Sequence, residues 1–379
     1  MMIDRSRILT LLEKLVATNS ENPPGNERAV ADVLRNHLAQ YDIHAKEVGN
    51  DKNRPNLVFS THDGEFGHLL LHGHMDTVPV GSEENWSYDP FGAQISDGRL
   101  YGRGACDMKG PVAALAETMI QYKAENPDTP LVMLATSDEE AGLGGAQEVA
   151  ESGILEGIEW GICAEPTSLG ILLGGKGTFW TRIVAKGKSA HGSRPQEGIN
   201  AISLCMEALE SIAGEAFAYD ESLLGKPTVN IGVIEGGTKI NVVPEHCEAQ
   251  IDMRTVEGQT SESLLQSIKE RLQDAGLEEN IEIEIIDAHP PVLTPKDAEI
   301  VRIAEKVISE TTGRHPDIAT ATYGTDCSVL QPEVGIMNII CGAGSIEQAH
   351  QPDEYIEIDQ LLDSVEIYLE IARHFDKNR

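Results

Sequence analysis

Ile8, Leu11, Leu12, Leu15 and Val16 fall at helical spacing over residues 7–17. A second set, Val30, Val33, Leu34 and Leu38, follows the turn Asn22-Pro23-Pro24-Gly25-Asn26. Apolar runs near 56–60, 68–73, 131–136 and 159–164 read as strands, and helical patterns at 112–122 and 146–152 lie between the last three. Strands alternating with helices predict an α/β domain with a largely parallel sheet, whose ligands gather at the carboxyl ends of the strands. From about residue 179 the order becomes strand (179–185), helix (199–212), strand (228–234), strand (247–254), helix (263–272), strand (281–286). This βαββαβ order is ferredoxin-like. After His289-Pro290-Pro291 the first rhythm resumes, with a helix at 297–311, a strand at 336–340 and a closing helix at 359–374. The pattern thus predicts a discontinuous domain, 1–178 and 290–379, interrupted by an inserted domain, 179–289.

A length of 379 residues suits two such cores. With 29 Lys and Arg against 62 Asp and Glu, the formal charge of −33 argues against nucleic acid or an anionic membrane as a partner. No run approaches the roughly 20 apolar residues of a membrane span, and the first residues read as an amphipathic helix, so a cytoplasmic setting is expected. Six scattered cysteines without a C-x-x-C pair read as reduced, buried thiols.

Five polar groups stand at or just beyond predicted strand ends. The run Leu69-Leu70-Leu71 ends in His72-Gly73-His74-Met75-Asp76-Thr77-Val78-Pro79, where His74 and Asp76 can share a face. Asp107 precedes a helix, Glu139 and Glu140 follow the strand at 131–136, Glu165 follows Ile162-Cys163-Ala164, and His350 stands in a polar segment. Each alone has a plain structural reading: a helix cap, an acidic turn, a loop, a hydrogen-bonded histidine. Together they bring nitrogen and oxygen donors to one sheet edge, a shell that suits zinc or a similar divalent ion. Adjacent glutamates diverge in an extended turn, so one can bind metal while the other takes a proton from water.

The strings HGHMDTVP, YGRGACDMKG, SDEEAG, AEPTS and GAGSIEQAHQPDEY resemble the di-zinc amidohydrolase family that includes acetylornithine deacetylase, succinyl-diaminopimelate desuccinylase, aminoacylase and glutamate carboxypeptidase. The resemblance runs from about residue 10 to the C-terminus. It implies a phosphorylase/hydrolase-like three-layer α/β catalytic domain with an inserted ferredoxin-like α+β domain, which acts as a lid and dimerises. It also implies two divalent ions, zinc by default with cobalt or manganese as alternatives, bridged by Asp107. His74 and Glu165 would complete one site and Glu140 and His350 the other, with Glu139 as general base and Asp76 orienting His74. His191, Asn241 and Arg254 match family positions that meet the substrate, His191 reaching the active site of a partner subunit. Lys176 and Thr325 are substrate-binding expectations of the same kind, and His72 is given no ligand role.

AEPTS and SIEQAHQPDEY read like the acetylornithine deacetylase branch, which implies a small acyl amino acid substrate, N-acetylornithine. Against that, Tyr323-Gly324-Thr325-Asp326-Cys327-Ser328 lacks the Glu-Ala-Pro run of the arginine-biosynthetic deacetylases, leaving succinyl-diaminopimelate, C-terminal peptides and dipeptides as rival substrates. A non-catalytic metal-binding scaffold would lack the base, whereas Glu139 is present. Gly170-Ile171-Leu172-Leu173-Gly174-Gly175-Lys176 starts like a P-loop but continues with Gly177 where a hydroxyl is needed, and its middle reads as a strand.

Overall fold

A computed structural model describes residues 3–62, 67–125, 130–213 and 217–377. The outermost residues of the predicted discontinuous domain, 1–2 and 378–379, lie outside the described residues. The chain divides into two compact units, one of residues 1–174, 294–320 and 325–379, the other of residues 175–293 and 321–324.

The larger unit is built on a mixed sheet. Its strands run in the order Ala45–Val48, Asn56–Ser60, Val132–Thr136, Leu69–His74, Trp160–Cys163, Met337–Ile340, Ile171–Gly175. Leu69–His74 pairs in parallel with Val132–Thr136 and Trp160–Cys163, and Met337–Ile340 pairs in parallel with Trp160–Cys163. The outer strands are antiparallel, which corrects the expectation of a largely parallel sheet. Ala45–Val48 and Asn56–Ser60 are joined by a short turn, and a hairpin can only pair that way.

Helices cover both faces. Lys109–Glu125 is buried all round through residue 122, has little amphipathic character, and packs between the sheet and the helices Arg5–Val16 and Ile358–Lys377. On the opposite face Val58, Leu70, Val132 and Leu134 meet Val149 and Leu330 of the helices Gly144–Glu151 and Cys327–Val334. Cys327–Val334 carries an internal Pro332 and a polar start, which hid it from periodicity. A small sheet of Gln94–Ser96, Arg99–Tyr101 and Tyr355–Glu357 was also illegible, its strands being too short to show a pattern.

The smaller unit is built on a four-stranded antiparallel sheet in the order Thr228–Gly236, His246–Thr255, Gly177–Lys186, Ile281–His289. This is the ferredoxin-like order that its βαββαβ sequence predicts. Gly177–Lys186 alternates between buried and half-buried positions as far as Ala185, and Lys186 is exposed. Its inward residues Phe179, Ile183 and Ala185 pack under Cys205, Ala208 and Ile212 of Ala201–Ala213 and Leu264, Ile268 and Leu272 of Ser261–Asp274. Thr260 and Ser263 form a reciprocal capping box at the start of that last helix.

No described helix is long and apolar enough to cross a membrane, and all six cysteines are free and buried.

Candidate active site

His74 is the last residue of its strand and lies on the same face as His72 and Leu70, two and four positions back. Gly73 between the histidines faces the other way, where an added Cβ would come 2.3 Å from Met108 Cε. The Nδ1 of His74 faces the backbone carbonyl of Asp76 at 3.0 Å and the Asp76 carboxylate at 3.5 Å. That carboxylate is more closely committed elsewhere. It accepts the Glu139 and Glu140 backbone N–H groups, each at 3.2 Å, and the Asn22 side-chain amide at 2.9 Å. Asp76 therefore pins the turn carrying both glutamates to the end of the His74 strand.

Asp107 is held from a different direction. The buried Glu354 carboxylate accepts backbone N–H groups of Gly104 at 3.1 Å, Cys106 at 2.8 Å and Asp107 at 2.9 Å, and takes Arg103 Nη1 at 2.5 Å. Three backbone donors converging on one acid fix the loop so that Asp107 projects into the site. His350 reaches it from a residue in the left-handed region, φ 63°.

The two oxygens of Asp107 face two different histidines. Oδ1 lies 3.1 Å from His74 Nε2, and Oδ2 lies 3.4 Å from His350 Nε2. Glu165 Oε1 is 3.5 Å from His74 Nε2, and Glu140 Oε2 is 3.1 Å from His350 Nε2. Two donor groups result, His74–Asp107–Glu165 and Asp107–Glu140–His350, the ligand atoms of each within 4.8 Å of one another. Glu139, half-buried beside them, belongs to neither group.

Crowding this many carboxylates in a desolvated site has an electrostatic consequence. Burial pushes Glu165 well above the usual carboxylate range, and the charges of Asp107 and Glu140 add to it against the pull of His74. Burial likewise raises Glu139, opposed by His74 and reinforced by Glu165 and Glu140. Asp107 goes the other way: burial would raise it, but hydrogen bonds from His350 and His74 hold it well below its ordinary value. His350 is raised to about 10, chiefly by Asp107 and Glu140. A net negative pocket in which His74 and His350 serve as counter-charge is what a nitrogen and oxygen shell for divalent cations looks like when protons take the cations' place. The residues present therefore fit two cations sharing Asp107.

The smaller unit carries most of the remaining expected residues. His191 pairs with Val242 across the short ladder Ala190–His191 and Val242–Val243, is exposed, and shares a 2.8 Å hydrogen bond with Ser193 Oγ. Gly192 N–H donates to the Asn241 carbonyl at 2.8 Å, which keeps His191 and Asn241 adjacent. Arg254 Nε lies 3.0 Å from Asp252 Oδ1, an ion pair within its own strand. Lys176 Nζ is buried and donates to the Lys226 carbonyl at 2.6 Å. Thr325 belongs to the larger unit, where it is buried and its hydroxyl accepts the Cys327 N–H at 3.3 Å.

Sequence reasoning missed several residues that build this site. Glu354 stood in plain view inside GAGSIEQAHQPDEY, but nothing in a sequence says which backbone N–H groups an acid will collect. Asp326 is fully buried, accepts Thr136 Oγ1 at 2.6 Å, and is pushed up to about 6 by burial. Asn22 also hydrogen-bonds Asp138, which pairs with Arg54 at 2.7 Å, so a polar chain continues outward from Asp76.

Comparison with known proteins gives the family. Residues 70–374 match Peptidase family M20/M25/M40. The chain is 32% identical to acetylornithine deacetylase of Edwardsiella ictaluri (strain 93-146), over 97% of this chain and 96% of that one. It is also 32% identical to acetylornithine deacetylase of Klebsiella pneumoniae (strain 342), over 88% and 87% of the two chains. Its fold is similar to that of an M20 family metallo-carboxypeptidase from Sulfolobus solfataricus, with a TM-score of 0.82 at 22% identity, covering 97% of this chain and 99% of that one. The chain belongs to peptidase family M20/M25/M40 and is a metal-dependent hydrolase.

Proposed function

We propose that the chain hydrolyses the amide bond of an N-acyl amino acid, with N-acetylornithine giving ornithine and acetate as the first substrate to test. The observation that carries the chemistry is the shared carboxylate of Asp107, with one oxygen in each of two donor groups and the uncommitted Glu139 beside both. The choice of substrate is supported by 32% identity to proteins named acetylornithine deacetylase over most of the chain.

His74, Asp107 and Glu165 would hold one cation, and Asp107, Glu140 and His350 the other, zinc fitting the donor set and cobalt or manganese accepting it. When bound, divalent cations there supply Lewis acidity toward the scissile carbonyl and toward water. Glu139 takes the proton of the attacking water and passes it to the leaving amine, the role its position outside both donor groups leaves open. Asp76 keeps Glu139 and Glu140 in register with His74 through their backbone N–H groups. Arg254 is chemically suited to a substrate carboxylate, and His191 and Asn241 to a developing oxyanion. In this reading the smaller unit acts as a lid and the working enzyme is a cytoplasmic homodimer.

A second reading, cleavage of a dipeptide or C-terminal peptide, is favoured by the segment Tyr323-Gly324-Thr325-Asp326-Cys327-Ser328, which lacks a Glu-Ala-Pro run. Turnover of N-acetylornithine, N-succinyl-diaminopimelate, other acyl amino acids and dipeptides by the zinc- or cobalt-loaded enzyme separates the two. Fast N-acetylornithine hydrolysis is expected, and negligible turnover beside rapid dipeptide cleavage would overturn the first reading.

A further inference from the structure

A second set of donors lies directly beneath the first. His72 and His74 share a face of one strand, and parallel register places Cys163 of the neighbouring strand opposite His72. Cys327, the first residue of the helix Cys327–Val334, comes down on that same face, where Leu330 of the same helix meets Leu70. One ring nitrogen of His72 and the sulfurs of Cys163 and Cys327 all lie within 4.8 Å of one another, and all three residues are buried. Two residues along a strand is about 6.6 Å, so this N,S,S group sits one strand step below the His74–Asp107–Glu165 group.

The histidine is held in a fixed pose. Asn338 Nδ2 donates to the Ile336 carbonyl at 2.9 Å, which turns Asn338 Oδ1 toward His72 Nε2 at 3.0 Å. Nε2 therefore carries the proton, and Nδ1 keeps its lone pair. Gly161 makes room for this arrangement, since a Cβ there would fall 1.9 Å from Asn338 Oδ1. His72 Nδ1 is buried without a hydrogen-bond partner among the described residues. The neighbouring Cys327 thiol is at most a weak donor to such an imidazole, so the oriented nitrogen and the two sulfurs offer lone pairs that a soft cation can use.

We infer that His72, Cys163 and Cys327 form a separate cation site that takes a thiophilic divalent ion of the zinc class. On binding, the two S–H protons leave to solvent, two thiolates and the neutral Nδ1 each donate an electron pair, and the two negative charges balance the ion. Sulfur-rich donors select such ions over the harder cations that carboxylates accept. The site is independent of the hydrolytic reading, which uses none of these three side chains, so either can fail alone.

The test loads the metal-free full chain with cobalt(II) under anaerobic, reducing conditions. It follows both the number of equivalents bound and the sulfur-to-cobalt charge-transfer absorption, which nitrogen and oxygen ligands do not give. The expected result is three equivalents with a sulfur band, falling to two equivalents without the band in Cys163→Ser/Cys327→Ser. Cys205→Ser, in the smaller unit, should keep the band. His72→Gln leaves both thiols in place and should weaken the third equivalent by about tenfold or more. It thereby tests the site even if the double serine variant does not fold. Two equivalents and no sulfur band in the unaltered chain, or a band that survives in the double variant or is indifferent to His72→Gln, would overturn the assignment.

Discussion

The polar residues of the larger unit and those of the smaller unit are held in different ways. In the larger unit His74, Asp107, Glu140, Glu165 and His350 arrive from separate elements, converge on one carboxylate, and are balanced by the two histidines. In the smaller unit each residue is engaged locally: Arg254 with Asp252, His191 with Ser193, Lys176 with a backbone carbonyl. The contrast teaches where precision is stored. The groups proposed to hold cations converge from a strand end, turns and a helix start and are backed by buried acids such as Glu354 and Asp76, whereas groups proposed to meet substrate keep partners that they can exchange for a ligand.

The strongest way to break this contrast is Asp107→Ala. It removes a donor from both groups and should abolish hydrolysis and release the cations of both groups together, as read by turnover and by the equivalents lost in elemental analysis after dialysis. Glu139→Gln should lower kcat by about 10²–10⁴-fold while metal content stays at the level of the unaltered enzyme. Full activity in that variant would remove the proposed proton carrier. Glu354→Gln separates support from ligation. Breaking its buried pair with Arg103 should cost about 3–5 kcal/mol, read as a lowered denaturant midpoint, with weaker cation binding because the Asp107 loop loosens. On the smaller unit, Arg254→Ala should raise KM by roughly 10- to 100-fold, the value of a hydrogen bond to a charged group at about 1.5–3 kcal/mol, with metal content unchanged. The smallest effect is expected for Thr325→Val. Loss of the hydroxyl that accepts the Cys327 N–H costs about 1 kcal/mol of stability, and an unchanged KM would assign Thr325 to structure alone.

Much of this was legible in the chain itself. The strand at 69–74 showed as an apolar run, and its abrupt end in His-Gly-His-Met-Asp marked a change of duty that the structure explains: the sheet is buried on both faces, so such a histidine must have a partner. The βαββαβ order likewise predicted a four-stranded sheet, because local periodicity and connection length fix that arrangement. Less legible were features set by tertiary contact. Glu354 acts on backbone N–H groups some 250 positions away in sequence, at separations of 247 to 250 residues. Asp76 was expected to brace His74, and its carboxylate turns out to be closer to the backbone of Glu139 and Glu140. His72 was given no ligand role because the family ligand aligns with His74; Cys163 and Cys327 become its neighbours only through strand register and a proline-containing helix that no periodicity announced.

The most direct test is a diffraction experiment at the zinc absorption edge on crystals of the zinc-loaded enzyme. Two anomalous peaks flanking the Asp107 carboxylate, one beside His74 and Glu165 and the other beside Glu140 and His350, are the result this account predicts. Zinc bound without contact to Asp107, or a single peak there at full occupancy with Glu140 and His350 left unligated, would contradict it.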